Sequence, residues 1–123
     1  MPDSLTPRDR ERLRGVHPDL VRVVERARRE FECFVIEGRR TPERQRDLVK
    51  QGASQTQNSR HLTGHAVDLG PVPLDWQDLA AFRRMADAMK RAAAAEGVPI
   101  VWGGDWKGFV DGPHFELTRA AYP

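Results

Sequence analysis

At 123 residues the chain has room for one domain and one hydrophobic core, so residues 1–123 are read as a single unit. Hydrophobic residues make up 39% and charged residues 31%, which excludes a disordered chain and suits an ordinary globular one. Net charge is +2, and the 13 basic residues before position 51 are interleaved with 10 acidic ones, too diffuse a pattern for a nucleic-acid stripe.

In chain order, Thr6 caps a short helix that has Pro7 at its first position and Gly15 as its stop. A second helix covers roughly 18–30, where Leu20, Val23, Val24, Ala27 and Phe31 recur at helical spacing. "CFVIEG" follows as a strand, and its single Cys33 sits among apolar neighbours as a buried structural thiol. One cysteine permits neither an internal disulfide nor a CxxC metal knuckle. Thr41 and Pro42 start a helix that runs to about Lys50 and stops at Gly52.

Residues 53–60 are polar and aperiodic, a surface loop leading into "SRHLTGHAVDLGP". Within that stretch "AVDLG" alternates as a short strand, with Ala66 and Asp68 on one face and Val67 and Leu69 on the other. Asp75 is predicted to cap a long helix to about Glu96, whose buried stripe is Leu79, Phe82, Met85, Ala86 and Met89. Gly97 ends it, and "PIVWGG" and "HFEL" are strands separated by a Gly- and Trp-rich loop. Short strands joined partly without helical crossovers predict an α+β fold with a small, mostly antiparallel sheet.

No signal-peptide apolar region opens the chain, and its longest apolar runs fall well short of a membrane span. The expectation is a monomer made in the cytoplasm without a cleaved signal and without membrane insertion.

Two of the four histidines, His61 and His65, fall within the stretch at 59–71. A turn at Gly64 can bring His61 beside Asp68, while His114 opens the last strand with Asp111 three residues before it. Two histidines and one carboxylate form a common catalytic zinc set. A zinc hydrolase also needs a base that is not a ligand, and Asp111, held by the Gly112–Pro113 turn, is the candidate. Composition alone is equally consistent with a turn histidine, a strand-end carboxylate and a turn-forming aspartate.

"SRHLTGHAVD" together with "DGPHFEL" resembles the signature of the peptidoglycan metallopeptidases that include D-alanyl-D-alanine carboxypeptidases, lysostaphin-type enzymes and the hedgehog domain. The fuller set "VHPDLVRVV", "GRRT" then "ERQ", "DWQDL", "WGGDW" and "GPHFEL" is similar to phage endolysins that are L-alanyl-D-glutamate peptidases.

The resemblance implies a zinc site of His61, Asp68 and His114, with Asp111 as catalytic base and Arg40 supporting the oxyanion. Arg39 stands where relatives often carry an aromatic or aliphatic residue. His65 receives no role. Ser59 is expected to bind substrate or orient its loop, Trp106 to wall a substrate groove with Phe109, and Trp102 to pack in the core. Asp105 is expected to brace that loop, and Glu116 to accept from a ligand imidazole. The implied partner is bacterial peptidoglycan, reached from the host cytoplasm after holin-type release. The implied reaction is zinc-dependent hydrolysis of the L-alanyl-D-glutamate bond. The alternatives are a D-alanyl-D-alanine carboxypeptidase or dipeptidase, or a non-catalytic zinc-binding domain.

Overall fold

The computed structural model describes residues 5–52, 59–107 and 110–123. Helices α1 (Pro7–Arg12), α2 (Pro18–Glu30), α3 (Pro42–Lys50) and α4 (Leu79–Glu96) surround a four-stranded sheet. The strands are β1 (Cys33–Glu37), β2 (Ala66–Pro71), β3 (Ile100–Trp102) and β4 (His114–Leu117), and they lie in the order β1-β2-β4-β3. All three pairings are antiparallel, although α3 lies between β1 and β2 and α4 between β2 and β3.

The helix starts follow local chemistry. Thr6 and Asp9 form a reciprocal capping box ahead of α1, and the Thr41 hydroxyl accepts from the Arg44 amide at 3.1 Å ahead of α3. The long helix starts later than its sequence suggests. Asp78, not Asp75, is its cap and accepts from the Ala81 amide at 3.1 Å, while Asp75 closes the preceding turn by accepting from the Gln77 amide at 2.9 Å. Leu79 is therefore the first helical residue, one turn short of the core, and it is 71% exposed rather than part of the buried stripe.

Strand alternation divides the sheet. Val35, Val67, Leu69, Phe115 and Leu117 are fully buried in the core with Leu20, Val23 and Val24 of α2 and Met85 and Met89 of α4. Cys33 belongs to this core, and burial pushes its thiol up to about 12. The opposite face carries Asp68, which is paired across the ladder with Glu37 of β1 and His114 of β4. A register shift between Val35 and Glu37 produces that row. Because a bulge sets two residues against one, Glu37 comes opposite Asp68 where strict alternation would have presented Ile36.

Edge strand β1 is covered by α1. Asp9 Oδ1 accepts from the Val35 amide at 2.9 Å, and Arg12 donates to the Val35 carbonyl at 2.9 Å.

Between β1 and β2 the chain makes a 3₁₀ turn, Arg60–Thr63, that ends at Gly64 with φ +79°. A Cβ at Gly64 would enter the backbone carbonyl of Gly15, and the Gly64 carbonyl accepts from the His17 amide at 2.8 Å. Gly64→Ala should therefore lose more than the roughly 1–2 kcal/mol of a left-handed alanine. Urea unfolding checks this, and a loss of less than about 0.5 kcal/mol would show that the close approach is not rigid.

Candidate metal centre and active site

The 3₁₀ turn carries His61 under the start of the sheet. Ser59 caps the turn by accepting from the His61 amide at 3.2 Å, so its observed contact orients the loop. The His61 side chain is buried, and its Nδ1 lies 2.7 Å from the Gly38 carbonyl. A carbonyl can only accept, so Nδ1 holds the hydrogen and Nε2 is the atom left to face the cluster. Gly38 itself packs on the Arg12 carbonyl, which a Cβ there would enter, so only glycine fits at this position.

His61 Nε2 lies 3.0 Å from Asp68 Oδ1, and His114 Nδ1 lies 3.3 Å from the same oxygen. The three donor atoms offered by His61, Asp68 and His114 all fall within 4.8 Å of one another. On its far side His114 donates from Nε2 to Glu116 Oε1 at 2.8 Å.

Asp68 shows how strongly the set is coupled. Burial works against its charge, but hydrogen bonds from His114 and His61 outweigh that and hold the carboxyl well below the usual carboxylate range. For His114, burial again opposes charge, and Asp68 and Glu116 overcome it, raising the imidazole to about 9. Two imidazoles thus converge on one carboxylate oxygen, each with its other nitrogen anchored to an acceptor. A divalent ion can take the place of the protons between them, and the anchored nitrogens fix which atom each ring would present. The donor set therefore fits a metal ion.

Arg40 points inward and Arg39 outward. The Arg40 side chain is 7% exposed, and it donates to Gln45 at 2.8 Å and to Glu37 at 2.7 Å, with Asp68 Oδ2 at 3.5 Å. Arg39 is exposed, and its aliphatic stem runs beside Gly15. Neither Glu37 nor Gln45 is picked out by sequence reasoning. Glu37 reaches the site only through the bulge in β1, whereas Gln45 gives a faint signal as a polar residue one turn before the buried Leu48.

Asp111 stands at the mouth of the site, three residues before His114. Its amide donates to the Gly103 carbonyl at 3.0 Å and its carbonyl accepts from the His114 amide at 3.1 Å, so the turn is closed on both sides. Burial, then the negative charge of Asp68, raises the Asp111 carboxyl above the ordinary aspartate value. The Trp106 ring lies 4.9 Å from the His114 ring. Trp102 stacks on Phe115 at 6.5 Å and donates to the Gly112 carbonyl at 2.7 Å, which makes it a core and loop brace. Asp105 ties the same loop to α4 through Lys90 at 2.8 Å. Phe109 lies outside the described residues.

His65 is not part of the cluster. Its Nδ1 meets the Thr63 hydroxyl at 2.5 Å and its ring lies 5.8 Å from that of His17.

The chain matches the family described as phage L-alanyl-D-glutamate peptidase over residues 1–118. It belongs to that family.

A family member from Escherichia phage T5, an L-alanyl-D-glutamate peptidase, is 30% identical over 120 residues, covering 91% of this chain and 87% of its own. Another from Listeria phage A118, with the same description, is 40% identical over 93 residues and 75% of this chain. The match spans only 32% of that Listeria phage protein, about a third of its length. Among solved structures, the Serratia marcescens L-Ala D-Glu endopeptidase ChiX superposes with a TM-score of 0.89 at 48% identity, over 97% of this chain and 92% of that one. None of the described helices is long and apolar enough to cross a membrane.

Arg60 is the neighbour of His61 that sequence reasoning missed. It is buried, and its Nη2 donates to the Leu117 carbonyl at 3.2 Å and the Tyr122 carbonyl at 2.5 Å, tying the site's turn to the C-terminal segment. Arg60→Met would remove both bonds, and the buried Leu117 carbonyl would lose its Arg60 donor at a cost of about 1–3 kcal/mol. Arg60→Lys should recover only part, since a single ammonium cannot reproduce the planar fork. Thermal unfolding checks this, and an unchanged Arg60→Met melting temperature would refute the tie.

Proposed function

We propose that this protein is a zinc-dependent endopeptidase that cleaves the L-Ala–D-Glu bond of the peptidoglycan stem peptide. It would serve as an endolysin that reaches the wall from the host cytoplasm after holin-type release. The observation that carries the reading is the convergence of His61 Nε2 and His114 Nδ1 on one oxygen of Asp68, in a chain of this family.

His61, Asp68 and His114 would hold the zinc, and Glu116 and the Gly38 carbonyl would keep the two rings in the binding tautomer. When bound, zinc supplies Lewis-acid polarisation of the scissile carbonyl and a water nucleophile at neutral pH.

Asp111 takes the proton of the attacking water and returns it to the leaving amine of D-Glu. Its turn, closed by hydrogen bonds on both sides, holds it three residues before His114 without making it one of the proposed ligands. Arg40 adds positive charge beside the cluster, where the carbonyl oxygen becomes negative. Its bonds to Glu37 and Gln45 hold the guanidinium in place before substrate arrives. Trp106, beside His114, walls the groove for the stem peptide, and Ser59 acts by orienting the His61 turn.

Purified protein should carry one zinc per chain by elemental analysis. His61→Ala or His114→Ala should abolish it, and His65→Ala should keep both zinc and activity. Loss of zinc in His65→Ala with retention in His61→Ala would reverse the ligand assignment.

Asp111→Asn should lower turnover by roughly a hundredfold to ten-thousandfold while zinc content and melting temperature stay near wild type. A variant keeping more than about a tenth of wild-type turnover would mean that another group is the base. Mass spectrometry of digested peptidoglycan should find new amino groups on D-Glu. Release of D-alanine alone would instead indicate a carboxypeptidase.

A further inference from the structure

The exposed large hydrophobic side chains among the described residues are Val72, Leu74, Trp76, Leu79 and Val110. Four come from the segment between β2 and the first turn of α4, and the fifth immediately precedes Asp111. Both segments meet at Phe82. The Trp76 ring stacks on Phe82 at 5.6 Å and 19°, and Gly112 lies against the Cγ–Cδ1 edge of the same residue, where a Cβ would be 3.4 Å away. A continuous path therefore runs from Trp76 through Phe82 and Gly112 to Asp111, at the mouth of the metal centre.

Trp76 is 55% exposed although one ring face is backed by Phe82. An indole held flat in this way presents its other face to solvent. The negative face of an aromatic ring attracts the slightly positive C–H groups on the face of a pyranose, and the contact removes apolar surface on both sides.

The proposed reaction requires such a partner nearby. In peptidoglycan the L-Ala nitrogen is joined to the lactyl group of N-acetylmuramic acid, so one amino acid and one lactyl unit separate the scissile carbonyl from a sugar. At about 3.6 Å per unit, that places the first pyranose roughly 7 Å from the bond to be cut. The glycan must lie beside the mouth of the site, on one side or another.

We propose that Trp76, backed by Phe82, is a glycan platform that stacks on an amino-sugar of the peptidoglycan strand. It rests on the proposed cleavage of the L-Ala–D-Glu bond and adds a second point of attachment to the polymer. A second copy of the chain fits the patch less well. Five side chains of roughly 150 Å² each, about half exposed, present on the order of 400 Å². A stable interface buries about 800 Å² on each partner.

The test uses the full chain and two substrates, intact peptidoglycan and a glycan-free stem peptide containing L-Ala–D-Glu. Trp76→Ala should raise the half-saturating concentration of the polymer by a factor at least ten times larger than any change in KM for the peptide. Trp76→Tyr should restore most of the polymer affinity. Equal losses on both substrates, or none on the polymer, would overturn the platform.

Binding is read separately by NMR with a peptide-free tetrasaccharide of N-acetylglucosamine and N-acetylmuramic acid. The indole N–H signal that disappears in Trp76→Ala should shift in the wild type as the sugar is added. A Trp76 signal that ignores the sugar in a protein that cleaves L-Ala–D-Glu sinks the platform alone. A signal that shifts in a protein without that cleavage supports the platform and sinks the cleavage reading. Concentration-dependent dimerisation abolished by Trp76→Ala would assign the patch to self-association and overturn the platform.

Discussion

The structure around the candidate site is organised by one constraint, a carboxylate that is largely withdrawn from water. An ionised aspartate is costly to bury unless its charge is met by hydrogen bonds and positive groups. Asp68 has all of these, from His61, His114 and the Arg40 guanidinium. Each comes from a different part of the chain: the 3₁₀ turn, β4, and the loop after β1. Satisfying Asp68 therefore fixes how these three segments sit relative to β2, and a metal ion would use the same convergence.

The apolar half of the sheet makes that convergence rigid. Val67, Leu69, Phe115 and Leu117 alternate with the site residues along β2 and β4, so any shift of Asp68 or His114 would disturb a close-packed core against α2 and α4. The outer face is held by polar contacts instead. Glu37 and Gln45 anchor Arg40, Glu116 anchors His114, and the Gly38 carbonyl anchors His61. Close backbone approaches at Gly38 and Gly64 allow the turns to meet without side chains between them.

Two aspartates in one site are pushed in opposite directions. Asp68 is drawn below the ordinary range by its two imidazoles, whereas Asp111, partly buried and repelled by Asp68, is raised. Environments that separate two like groups in this way suit them to different work, one as a permanent anion and one as a proton carrier. That division underlies the proposed roles of metal ligand and base.

Much of this was legible in the amino-acid sequence, because it depends on local chemistry. Caps at Thr6 and Thr41, helical spacing in α2 and two-residue alternation in β2 are written into consecutive residues. The pairing of His61 with Asp68 across Gly64 was likewise within reach, since a turn joins them over seven positions. The start of α4 was misplaced because Asp75 and Asp78 are both good caps, and only the turn closed by Asp75 shows which one begins the helix. Glu37 and Arg60 were invisible for a different reason. Strict alternation places Glu37 on the core face with Cys33 and Val35, and it takes the bulge against β2 to turn it toward Arg40. Arg60 finds its acceptors 57 and 62 residues away. Local pattern determined which segments form and which side chains are suited to chemistry. Long-range pairing alone decided which of them meet, because register and burial are properties of two strands together and not of either one.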